Sequence, residues 1–129
     1  MLPSVNVLGF PLERCDCGTG LFGDSHCNSD QDDLEAHVVC AVMTEEFLAM
    51  ARANGHDFVE ARSQDNFPGL IAGDRWCISA LLWLYAFDQG CAPPIVLEST
   101  HRRALKYIPV DQLADHAYEL PDTWEPKQR

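Results

Sequence analysis

Asp74-Arg75-Trp76-Cys77-Ile78-Ser79-Ala80-Leu81-Leu82-Trp83-Leu84-Tyr85-Ala86-Phe87-Asp88-Gln89-Gly90 holds the longest apolar stretch of the chain. From Ala80 through Phe87 it is apolar nearly all round, which predicts a helix buried at the centre of the fold. Asp74 reads as the N-cap of that helix, so Arg75, Trp76 and Cys77 form its first turn. Asp88, Gln89 and Gly90 end it, and Pro93-Pro94 prevents its continuation. The stretch from Trp76 to Phe87 is interrupted by Ser79 and falls well short of the roughly 20 residues that a spanning helix needs.

Upstream, His37-Val38-Val39-Cys40-Ala41-Val42-Met43 is β-branched and apolar and reads as a buried strand. Thr44 is placed to cap a helix whose first turn carries Glu45 and Glu46, where the dipole favours acids, and which ends near Gly55. Residues 1–35 are punctuated by Gly9, Pro11, Gly18, Gly20 and Gly23 and read as irregular, with a short strand expected at Val5–Leu8. Downstream, Ile95-Val96-Leu97 reads as a core strand. Ser99 or Thr100 caps a short helix ending before Pro109, and Asp111–Tyr118 adds another turn or two. The expected fold class is α+β: a single compact domain over residues 1–118, with a small sheet packed on the central buried helix and a loop-rich N-terminal third. Residues 119–129, with Pro121 and Pro126, form a loosely ordered tail.

A chain of 129 residues with 47 % hydrophobic and 22 % charged content suits one globular domain, with no need of disulfide staples. Its formal net charge is −11, from 20 acidic and 9 basic residues. Residues 1–40 hold seven acids against one base, and residues 41–90 seven against three, so the acidity sits in the first two-thirds. Nucleic acid is disfavoured as a partner, since phosphate contacts need clustered Lys and Arg, and the one basic cluster (Arg102, Arg103, Lys106) reads as a solvated helix face. A surface rich in acids with two lysines fits a salt-rich cytoplasm, where screening removes self-repulsion. The first residues lack the basic start and apolar core of a signal peptide, so the expected compartment is the cytoplasm and no membrane partner is expected. In that compartment the six cysteines are expected to be reduced.

Cys77 is the first candidate for chemistry. A thiol in the first turn of a helix beside Arg75 feels the unpaired N–H groups and the dipole, the environment of a nucleophile. Its apolar neighbours Trp76, Ile78 and Leu81 point instead to burial. His37, at the start of the first strand, or His101, after the last, is the candidate base, and Asp74 completes a tentative catalytic set. Cys15-Asp16-Cys17, His26-Cys27 and His37 with Cys40 are the candidates for a structural metal, although no pair of CxxC-like halves exists and an odd spacing within a strand sends His37 and Cys40 to opposite faces. No metal ligand set and no cofactor is assigned. Phosphate-binding glycine loops and the motifs GxGxxG, HExxH and GxSxG are absent.

Asn6-Val7-Leu8-Gly9, Thr19-Gly20, His37 through Thr44 with Phe47-Leu48, Phe67-Pro68-Gly69-Leu70, Gly73-Asp74-Arg75-Trp76-Cys77, Ala92-Pro93-Pro94 and Thr100-His101 together resemble the mostly bacterial domain of unknown function 2237, from about Asn6 to about Ala117. The resemblance implies no activity. It marks Cys15, Cys27, Cys40, Cys77, His37 and Asp74 as pattern residues and Cys17 and Cys91 as extras. Members of the family often carry a second cysteine where Ser79 stands, so a dithiol reading of this segment loses one partner. Two functions follow: a small-ligand-binding or protein-interaction domain, favoured because no reaction class has a complete set of roles, or a thiol-dependent enzyme using Cys77. A domain built round a structural Cys/His metal site is the further alternative. The identity of the small molecule or protein partner and the oligomeric state are not encoded in any motif.

Overall fold

β1 (Val39–Val42) and β2 (Arg75–Ile78) pair antiparallel, with Val39 opposite Ile78, Cys40 opposite Cys77 and Val42 opposite Arg75. The structure, a computed structural model, describes residues 5–15, 26–27, 36–55 and 69–118. Among the described residues, three α-helices and this two-stranded sheet make a mixed α+β domain: α1 (Glu45–Ala53), α2 (Ala80–Asp88) and α3 (Val110–Asp115). Among the described residues no helix is long and apolar enough to cross a membrane. The expected C-terminal tail lies outside the described residues, as do most of the first 35.

The strand–helix unit forms as its residues demand. Thr44 Oγ1 accepts from Phe47 N at 3.1 Å, and Glu45 and Glu46 occupy the first turn of α1. Phe47, Leu48 and Ala51 turn inward. The chain leaves α1 through Gly55, whose φ of 90° suits a residue without a Cβ.

The expected helix from Arg75 to Gln89 divides in two. Arg75-Trp76-Cys77-Ile78 is strand β2, and the helix begins only at Ala80. An aromatic and a β-branched residue in four gain a paired neighbour by lying against β1. The N-cap is Ser79, whose Oγ accepts from Leu81 N at 3.1 Å and Leu82 N at 3.2 Å. Asp74 instead closes the turn before β2: its Oδ2 accepts from Ile71 N at 3.0 Å, and Gly73 within that turn has φ 96°. The helix is also not buried on every side. Ala80, Leu82, Trp83 and Ala86 face the core, whereas Leu81, Tyr85 and Phe87 are exposed.

One core unites these elements. Trp83, Phe47, Met43, Ile78, Ile95, Leu97, Ile108 and Leu113 are its largest fully buried apolar side chains. Trp83 donates Nε1–H to Pro93 O at 3.0 Å, which satisfies the buried indole, and the His116 ring meets the Trp83 ring edge-on.

Residues 94–101 run along the open side of β1. Val42 N donates to Pro94 O and Val96 N to Cys40 O, while Ile95 bridges both Ala41 and Ala117. The expected strand at 95–97 is therefore a single bridge residue, and Leu97–Ser99 and Arg102–Lys106 are short 3₁₀ turns. The expected strand at Val5–Leu8 is a turn, organised by Asn6. This residue is 1 % exposed, and its Oδ1 accepts from Leu8 N and Phe10 N while its Nδ2 donates to Glu98 O and Pro11 O. Val7 N to Thr100 O, Glu13 N to Glu98 O and Ser99 Oγ to Arg14 O complete the docking of the N-terminal arm.

Candidate functional site: a buried four-cysteine cluster

A two-stranded sheet has two faces, and here they serve different ends. Val39, Ala41 and Ile78 point into the main core, whereas Cys40, Val42 and Cys77 point to the other side. The backbone N–H of Cys40 is taken by Thr100 Oγ1 and its carbonyl by Val96 N, so neither bonds across to β2. Cys40 and Cys77 thus form a non-hydrogen-bonded pair, the arrangement in which facing side chains lie closest, with Cα atoms about 4.5 Å apart.

Two further cysteines reach this face from the N-terminal arm. Cys15 is disulfide-bonded to Cys40 and Cys27 to Cys77, across 25 and 50 residues of sequence. Cys27 is held in place by a bridge to Thr100, and Cys15 follows the Arg14 carbonyl that accepts from Ser99 Oγ. Cys15, Cys27 and Cys40 are fully buried and Cys77 is 8 % exposed; Val42 and Val96 complete the pocket, with Trp76 packed against it. The sulfurs of Cys15, Cys27 and Cys77 all lie within 4.8 Å of one another, so the two disulfides touch.

These placements correct the expectation of free thiols for four cysteines. Cys91 is a free thiol, half-buried, and burial followed by the nearby Glu46 charge pushes its pKa up. Cys17 lies outside the described residues.

The tentative catalytic residues lie on elements other than those that sequence reasoning gave them. Cys77 sits in strand β2, two residues before Ser79, the N-cap of α2, and not in the first turn of the helix. Asp74 is three residues earlier on an extended chain, which directs it to the opposite face, and its carboxylate is bound to the Ile71 amide. His101 does precede a helical turn, as expected, and is 2 % exposed. Its Nδ1 accepts from Arg103 N at 3.0 Å, which leaves Nε2 to carry the ring proton, and its backbone N–H donates to Val38 O. His37 lies two residues before β1 and is half-buried. Neither histidine, nor His26, belongs to the group of ligand atoms round Cys77. What the sequence concealed is the pairing: the four cysteines come from four separate segments, brought together by the β1–β2 register for Cys40 and Cys77 and by the docking of the arm for Cys15 and Cys27.

Residues 5–117 match the family described as an uncharacterised protein conserved in bacteria, domain of unknown function 2237. The chain belongs to that family. No curated protein matches it. Ser79 is the cap of α2, a role its hydroxyl fills with two hydrogen bonds.

Proposed function

We propose that this member of the family is a thiol–disulfide centre, in which the Cys15–Cys40 and Cys27–Cys77 pairs exchange electrons as one unit with an external protein dithiol. The observation that carries this reading is the contact between the two disulfides, with sulfurs of both within 4.8 Å. Exchange proceeds by attack of a thiolate on a disulfide sulfur, and access selects which sulfur is attacked. Cys77 is the least buried of the four. An incoming thiolate attacks its Sγ and forms a mixed disulfide, releasing Cys27 as thiolate. The second thiol of the external dithiol then displaces Cys77, leaving the partner oxidised and Cys27 and Cys77 reduced.

The freed Cys27 or Cys77 thiolate now lies within 4.8 Å of Cys15 Sγ. Attack there forms a new bond to Cys15 and expels Cys40, so reducing equivalents pass inward without loss. In a reducing cytoplasm the dithiol form is the resting state, and the two disulfides mark oxidation. Neither nucleic acid nor a membrane enters this reading.

The test is thiol counting in folded protein equilibrated across a series of dithiothreitol redox buffers, with peptide mapping of each pair. The expected result is reduction of both pairs below denaturing conditions, with a mixed Cys15–Cys27 or Cys15–Cys77 intermediate. Disulfides that open only after unfolding defeat the proposal and leave them as staples.

A second reading rests on a groove of about 360 Å³ between α1 and the turn before β2, lined by Glu45, Leu48, Ala49, Arg52, Leu70, Ile71 and Ala72. Its apolar floor with one acid and one base at its edge suits a small amphiphilic ligand. Backbone amide shifts confined to residues 45–52 and 70–72 on screening such compounds support it; a screen that moves none of them removes it.

A further inference from the structure

We infer that, once reduced, the same four cysteines form a binding site for one soft divalent cation of the zinc class. The inference rests on the proposed redox reading in one respect, that the disulfides open in the folded protein. A tetrahedral zinc–thiolate centre has Zn–S bonds of about 2.3 Å, which separates its sulfurs by about 3.8 Å. Three sulfurs already lie within 4.8 Å of one another, and the fourth, Cys40, is joined to Cys15 and opposite Cys77 in the sheet. Rotation of side chains therefore suffices to open each disulfide into two ligands around a shared point.

The donor set and its setting suit this ion. Buried thiolates without a hard oxygen ligand in their group select zinc over magnesium or calcium. Two ligands stand on paired strands, and the other two are tied to residues 99 and 100, so the framework is retained when the sulfur bonds are cut. Arg75 stands two residues from Cys77, on the same face of β2. Chemically, two equivalents of a dithiol reductant, each oxidised to its own disulfide, together deliver four electrons and four protons to the two disulfides, giving four thiols. Binding of one Zn²⁺ then releases four protons, one from each thiol.

The experiment uses the full chain, reduced under argon with a phosphine and freed of reductant. Native mass spectrometry with Zn²⁺ is expected to show one ion per chain. Co²⁺ is expected to give the visible bands of a tetrahedral ion with sulfur-to-metal charge transfer. Bound Zn²⁺ is expected to slow alkylation of Cys15, Cys27, Cys40 and Cys77 at least tenfold, while Cys91 is unaffected and Cys91→Ser keeps the full stoichiometry. Cys77→Ser is expected to abolish the tetrahedral cobalt spectrum, and the wild-type protection map stands by itself if that variant does not fold. Failure of both pairs to reduce in the folded chain overturns the redox reading and this one together. Reduction without metal uptake, an octahedral cobalt spectrum, or protection falling on Cys17 or Cys91 overturns the metal site alone.

Discussion

Among single residues, Asn6 has the most to hold. Its amide makes four hydrogen bonds that join the arm to residue 98, and nothing in an Asn-Val-Leu-Gly stretch announces this, because the partners are backbone atoms. Asn6→Ala leaves two amide donors and two carbonyls without that partner. At about 1 kcal/mol for each net bond, the expected loss is roughly 4 kcal/mol in urea denaturation. A loss below 1 kcal/mol would show that the arm is held by its disulfides alone. Cys91 gives the converse case, a residue set apart by its surroundings. Its raised pKa means a smaller thiolate fraction at any pH near neutrality than an ordinary thiol has. Alkylation of Cys91 in the oxidised protein is therefore expected to be slower than that of a model thiol at pH 8, with its half-maximal rate at a pH above the usual thiol range. A rate profile by mass mapping decides this, and a midpoint at or below that range contradicts the electrostatic account.

At the scale of elements, α2 turns on Ser79. Replacing it with Ala removes the acceptor for Leu81 N and Leu82 N, and is expected to cost about 1 kcal/mol by chemical denaturation. Asp74→Ala, at the position where the sequence suggested the cap, is expected to leave α2 intact and to loosen only the turn at residues 71–74. The comparison also shows what was legible. Val39–Val42, the Thr44 cap and the termination of α1 at Gly55 are local matters, decided by residues within a turn of one another. The boundary between β2 and α2 is not local: Arg75-Trp76-Cys77-Ile78 has an apolar pattern as compatible with a buried helix as with a strand. Only β1, 33 residues away at its nearest pairing, decides between them. Cys77, expected in the first turn of the helix, lies in β2 and is bonded to Cys27, since the helix start lies at Ser79. The cluster escaped for the same cause, because no spacing rule encodes a meeting of Cys15, Cys27, Cys40 and Cys77.

For the whole molecule, the interlocking of the two disulfides matters more than either alone. In the chain-entropy description, loops of 25 and 50 residues are worth about 3.5 and 4 kcal/mol. The spans 15–40 and 27–77 overlap, so opening the second frees less chain than its own length suggests. Reduction in the presence of a chelator is accordingly expected to lower unfolding free energy by about 4–6 kcal/mol in all, a large share of the roughly 5–15 kcal/mol typical of a domain. Guanidinium denaturation with and without reductant measures it, and Cys91→Ser serves as the neutral control. The size of the drop separates two pictures of the fold. A drop of several kcal/mol means that the arm, and with it residues 98–101, is held in register by sulfur, so that the oxidation state governs how firmly β1 is flanked. A drop under 1 kcal/mol means that Asn6, Thr100 and the core hold the arm unaided, and the cysteines are then free to trade sulfur partners, or sulfur for metal, at little structural cost.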